Sequence, residues 1–161
     1  SDMNSKAFFN VSDLEPGGDP KTAYIEVKND SNMDMLIRLY ADNVTETKTG
    51  LKNYLNVTVT LNPSGYTGIL GGDPYGTIDN ELETNLPLSQ LIGKANALDN
   101  VDAGCNDDWP LMPGYNAVYK VDVSLDWDTP NGYQGESLEA DLQLDATQFN
   151  EANQCDGIVE W

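Results

Sequence analysis

The chain has 161 residues, with 27 Asp and Glu against 8 Lys and Arg, no histidine, and a formal net charge of −19. Such a surface repels phosphate backbones and anionic lipid, which argues against nucleic-acid and membrane-surface roles. Without an imidazole, Ser-His-Asp, Cys-His and His-based zinc chemistry all fall away.

The length suits one domain spanning 1–161 with a single core. No run approaches the roughly 20 apolar residues of a membrane span. Period-two alternation recurs along the chain and helical periodicity is nearly absent, so strands are expected throughout. In 6–11, Ala7 and Phe9 face one way while Phe8 and Asn10 face the other. Ala23, Ile25 and Val27 then alternate with Tyr24, Glu26 and Lys28, and 34–41 form a more fully apolar strand, Met35 to Tyr40. Val57, Val59 and Leu61 alternate with Thr58 and Thr60. The stretch 85–93 is the one helix candidate, with Pro87 in its first turn and Gly93 at its end. In 118–127, Tyr119, Val121, Val123, Leu125 and Trp127 share a face, which predicts Trp127 in the core. In 138–146, Leu138, Ala140, Leu142, Leu144 and Ala146 do the same. The turn chemistry of 128–132 joins these two as a hairpin or as neighbouring strands of a sandwich. The expected fold is therefore all-β, an antiparallel sandwich of jelly-roll type with one short helix.

Several residues carry candidate chemistry. Asn10, Asn29, Asn43 and Asn56 each open an Asn-X-Ser/Thr triplet, an acceptor pattern for glycosylation. Asp99, Asp102, Asp107 and Asp108 crowd one predicted loop and offer the hard oxygens that calcium takes. Cys105 and Cys155 both have acidic neighbours, which raise a thiol's pKa, so a disulfide in an oxidising compartment is expected rather than a nucleophile. Closing that loop stabilises the fold by roughly 4 kcal/mol in the chain-entropy model. Trp109, Trp127, Trp161, Tyr66 and Tyr75 are the aromatic rings on which a sugar could stack, Trp109 being the best placed for exposure. Carboxylate-pair hydrolysis needs only two acids, and 27 carboxylates supply such pairs whatever the function. No catalytic residue is assigned, and the expectation is a protein that is not an enzyme.

The run Phe9-Asn10-Val11-Ser12-Asp13-Leu14-Glu15-Pro16-Gly17-Gly18, followed by Ile25 to Met35, resembles the TasA/camelysin family of fibre-forming proteins. Leu86-Pro87-Leu88-Ser89-Gln90-Leu91 is similar to that family's short Leu-Ser-Asp-Leu helix. Tyr133 to Ser137, with Ala146-Thr147-Gln148, is similar to its C-terminal signature. The resemblance implies a jelly-roll subunit that polymerises outside the cell, as biofilm matrix or pilus-like threads, by adding a strand to its neighbour's sheet. Residues 1–11, and Ala7, Phe8 and Phe9 within them, are then the linking-strand candidates, the other reading being an ordinary strand of their own sheet. A metallopeptidase label borne by some relatives is not carried over, since no histidine is present.

The function expected is thus a secreted, extracellular or cell-surface structural subunit whose main partner is itself. Matrix or surface components are further candidate partners, and neither nucleic acid nor membrane insertion is expected. No cofactor is expected beyond calcium, which would serve stability or assembly. The alternative is a secreted β-sandwich module that binds carbohydrate or a cell surface.

Overall fold

The computed structural model describes residues 5–61, 80–99 and 111–148. Eight strands appear in it: β1 Ser5–Val11, β2 Lys21–Lys28, β3 Met35–Glu46, β4 Leu55–Leu61, β5 Asn80–Pro87, β6 Leu98–Asp99, β7 Asn116–Leu125 and β8 Leu138–Gln148. They form two four-stranded sheets, ordered β1-β8-β3-β6 and β2-β7-β4-β5, with every ladder antiparallel. First pairs with last, second with seventh, third with sixth and fourth with fifth. That nested pairing is a long hairpin wrapped into two sheets, the jelly roll. The fold is an all-β antiparallel sandwich.

Alternation explains why these segments form strands and where the core lies. Ile25 and Val27 of β2, Val57 and Val59 of β4, Tyr119 to Leu125 of β7 and Leu138 to Leu144 of β8 send alternate side chains into one buried cluster. Their neighbours Glu26, Thr58, Asp122 and Asp141 point outward, so each strand keeps one wet face. β7 and β8 belong to different sheets, so 126–137 is a crossover between layers and not a hairpin turn.

β3 continues to Glu46, beyond the apolar run that predicts it, through an irregularity. Asp42 faces Asp141 and Thr45 faces Glu139, leaving one extra residue on β3. Asn43 absorbs it in the left-handed region at φ 50°, where Asn is tolerated better than most side chains.

The expected helix over 85–93 is corrected to a 3₁₀ turn, Leu88–Gln90. Pro87 is extended at ψ 133° and closes β5, so no helical first turn forms around it. Leu88 and Leu91, buried at 1% and 0%, sit one such turn apart and both enter the core. The backbone then docks on β3, Gly93 N–H donating to Ala41 O at 2.8 Å.

One end of the sandwich gathers the connections 12–20, 47–54, 88–97 and 126–137. The opposite end holds 29–34 against 111–115, joined by hydrogen bonds between Asn29 and Tyr115 and between Met35 and Leu111.

Candidate functional site

β1 is paired along its whole length with β8 of the same chain, from Ser5 opposite Leu144 to Val11 opposite Leu138. Phe9 and Val11 are buried at 3% and 2%, whereas Phe8 on the other face is 64% exposed. The predicted alternation is therefore the observed one, and the linking-strand candidates Ala7, Phe8 and Phe9 lie in their own subunit's sheet.

Among the described residues, the four sheet edges are unequally guarded. β6 is two residues long and offers little to pair with. β5 is irregular against β4 in two places and ends in Pro87. β2 is bracketed by Lys21 and Lys28, charges that discourage an incoming strand. β1 has an unbroken seven-residue register and a single charge, Lys6, in an otherwise neutral sequence. Its outer edge is the least defended of the four.

The outer face beside β1 is organised around two carboxylates of β8. Lys6 Nζ lies 3.0 Å from Asp141 Oδ2, and Asn43 Nδ2 donates to the same oxygen at 2.9 Å. The Asn43 hydrogen bond and the Lys6 ammonium together hold the Asp141 carboxyl below its ordinary pKa. That anchoring offsets the repulsion from Asp42, which faces Asp141 across the ladder. One step along, Asp145 Oδ2 accepts from Arg38 Nη2 and from Tyr40 Oη, each at 3.1 Å. Arg38, the chain's only arginine, also lies 5.8 Å from the Tyr40 ring centroid. Burial and the Asp145 carboxylate raise the Tyr40 pKa.

The glycosylation candidates fall into different surroundings. Asn29 is 0% exposed. Its Nδ2 donates to Met33 O and Leu111 O, both at 2.7 Å, and its Oδ1 accepts from Ser31 N–H and Oγ–H. With both amide hydrogens engaged in the interior, Asn29 is a structural clamp and is set aside as an acceptor. Asn43 and Asn56 are tied to Asp141 and Asp126 at 2.9 and 2.8 Å. Asn10 stands exposed on the outer face of β1.

The expectation that Trp127 is core is overturned: it is 77% exposed. β7 ends at Leu125, and Asp126 then caps a turn, accepting from Asp128 N–H at 2.8 Å through Oδ1 while its backbone carbonyl accepts from Thr129. The Asp128 N–H and the Asn56 amide, both donating to the carboxylate, lower the Asp126 pKa. The indole rests on Gly17, where a Cβ would come within 1.8 Å of Trp127 Cε3. Nothing local in the sequence announces this contact, because Gly17 and Trp127 are far apart in the chain. The same applies to the neighbouring cluster in which Lys48 Nζ lies 4.5 Å from the Tyr133 ring centroid and Tyr54 packs on Tyr133.

The remaining candidates lie largely beyond view. Cys105, Cys155, Asp102, Asp107, Asp108, Trp109, Trp161, Tyr66 and Tyr75 are outside the described residues. For Asp99 only the backbone is described, opposite Arg38 in the β3–β6 ladder. Among the described residues, no group of three or more His, Cys, Asp or Glu side chains could hold a metal ion, and no helix is long and apolar enough to cross a membrane. No protein-family model matches the chain, and no curated protein sequence matches it.

Proposed function

We propose that the chain is a structural subunit of a secreted extracellular filament or matrix, and that it assembles by strand addition between subunits. The observation that carries this reading is β1: among the described residues it is an edge strand, hydrogen-bonded to one neighbouring strand, β8, of its own chain. Phe9 and Val11 fill the core beside β8, and the same strand from a second copy would fill it equally well. Exchange of an identical element keeps every native contact, and a head-to-tail exchange does not close, so it propagates as a fibre. No catalytic role is part of the proposal.

The Lys6–Asp141 pair, at 3.0 Å, provides a native reporter. Filaments grown from an equal mixture of isotopically light and heavy protein are treated with a zero-length carbodiimide and digested. Strand exchange gives Lys6–Asp141 cross-linked peptides of mixed isotope. Pairs that are always light–light or heavy–heavy would show β1 staying at home, and strand exchange through it would be abandoned.

The exposed Trp127 favours a second reading, a module that binds carbohydrate at the loop end. A pyranose stacking on the free indole face would be lost in Trp127→Ala, with a fall in affinity for polysaccharide of about tenfold or more. Equal retention of wild type and variant on a glycan array would remove this reading.

A further inference from the structure

Phe8 is 64% exposed on a strand whose next residue is 3% exposed. A large apolar ring exposed on a regular strand offers a flat face on which the C–H face of a sugar can stack. Residues two apart on a strand rise from the same face about 7 Å from each other. The Phe8 ring and the Asn10 amide therefore stand side by side on the outer face of β1. Asn10-Val11-Ser12 is an acceptor triplet, and Ser12 is exposed just past the end of the strand.

The other three triplets are each occupied by the fold. Asn29 is 0% exposed, and the amides of Asn43 and Asn56 donate to carboxylates at 2.9 and 2.8 Å. The Asn10 side chain has no hydrogen-bond partner among the described residues. We infer that Asn10 carries an N-linked glycan whose first sugar rests on the Phe8 ring. The donor class is an oligosaccharide on a lipid phosphate. Asn10 Nδ2 forms a bond to C1 of the first sugar, the C1–O bond to the phosphate breaks, the lipid phosphate leaves with the electron pair, and Nδ2 gives up one proton. The apolar C–H face of the attached pyranose then covers the phenyl ring, and both surfaces leave water. The glycan occupies the face of β1 and not its hydrogen-bonding edge, so strand exchange is not obstructed by it in principle.

This inference shares only the premise of export with the proposed function; filament formation is not required. Glycopeptide mapping of the protein collected from its own cells should find Asn10 occupied and Asn29 bare. An exported protein with Asn10 bare would overturn the inference and leave the filament reading standing. Protein retained inside the cell without sugar would overturn the export premise of both. The stacking is tested separately on glycosylated protein. Enzymatic removal of the sugar should lower the melting temperature by roughly 2–4 °C in the wild type and in Phe8→Tyr. In Phe8→Ala, which loses an exposed ring and keeps the fold, removal should change nothing. An equal drop in Phe8→Ala would show that the sugar does not sit on Phe8.

Discussion

Asn29 shows how much one polar side chain can fix. It accepts from Ser31 N–H at 2.9 Å and bridges the carbonyls of Met33 and Leu111, both at 2.7 Å. It thereby shapes the turn 29–34 and ties that turn to the strand approaching β7. An aspartate cannot replace it, because a carboxylate would face two carbonyl oxygens. Asn29→Ala removes one of two donors from each carbonyl, Met33 O keeping Ser31 Oγ–H and Leu111 O keeping Met35 N–H, at a cost of about 1–2 kcal/mol. Urea denaturation should show the midpoint falling with an unchanged slope. A midpoint within error of wild type would mean that the donors that remain, Ser31 Oγ–H and Met35 N–H, suffice. In the sequence this residue is visible only as one sequon among four; its burial depends on Leu111, a partner far along the chain. Trp127 misleads in the opposite way. Alternation through Leu125 projects it inward, yet the Asp126 turn breaks the period one residue too soon for it to follow.

β1 separates two phenylalanines that composition cannot tell apart. Phe9 enters the core beside Val11, and Phe8 stands opposite Asp141 on the wet face. Phe9→Ser opens a cavity and buries a hydroxyl, costing more than about 3 kcal/mol. Phe8→Ser should stay within about 0.5 kcal/mol of wild type, as surface changes do. Thermal melts followed by circular dichroism measure both, and similar losses would mean that the alternation along β1 is wrong. This much was legible from period two alone, as were the wet and dry faces of β2, β7 and β8. The order of the strands was not. Nothing in 5–11 states that its partner is 138–144, since many alternating segments are equally eligible and the choice is made by the closure of the whole sandwich. The irregularity at Asn43 was hidden for the same reason: an extra residue is defined only against a partner strand. Ala7, Phe8 and Phe9 form a strand, as period two predicts, but whose sheet they complete in the proposed fibre is a property of two chains.

For the whole molecule, charge sets the terms on which copies can meet. The net charge is −19, and β8, 11 residues long, extends about 36 Å. The screening length is about 30 Å in 10 mM salt, comparable with the sandwich itself, and about 8 Å at 0.15 M. At low salt each copy therefore repels another across its full length; at physiological salt only facing charges count. On the proposed filament reading, filament yield, followed by light scattering and electron microscopy, should rise steeply over that range of sodium chloride. Acid should act in the same direction until the fold gives way. As pH falls toward the sequence pI of 4.1, most carboxylates lose charge and repulsion declines. Asp141 and Asp126 have lowered folded pKa values. The stability they contribute is fully present above the ordinary carboxylate pKa and is lost only as pH drops through their lowered values. Assembly should thus increase down to about pH 4 before unfolding overtakes it at lower pH. Calcium chloride at matched ionic strength distinguishes screening from binding: equal yields mean screening, and a surplus with calcium means specific sites among the acidic loop residues. Yield that is indifferent to salt between 10 mM and 0.15 M would mean that assembly contacts lie where the charge does not reach, and the electrostatic account of the proposed assembly would have to be given up.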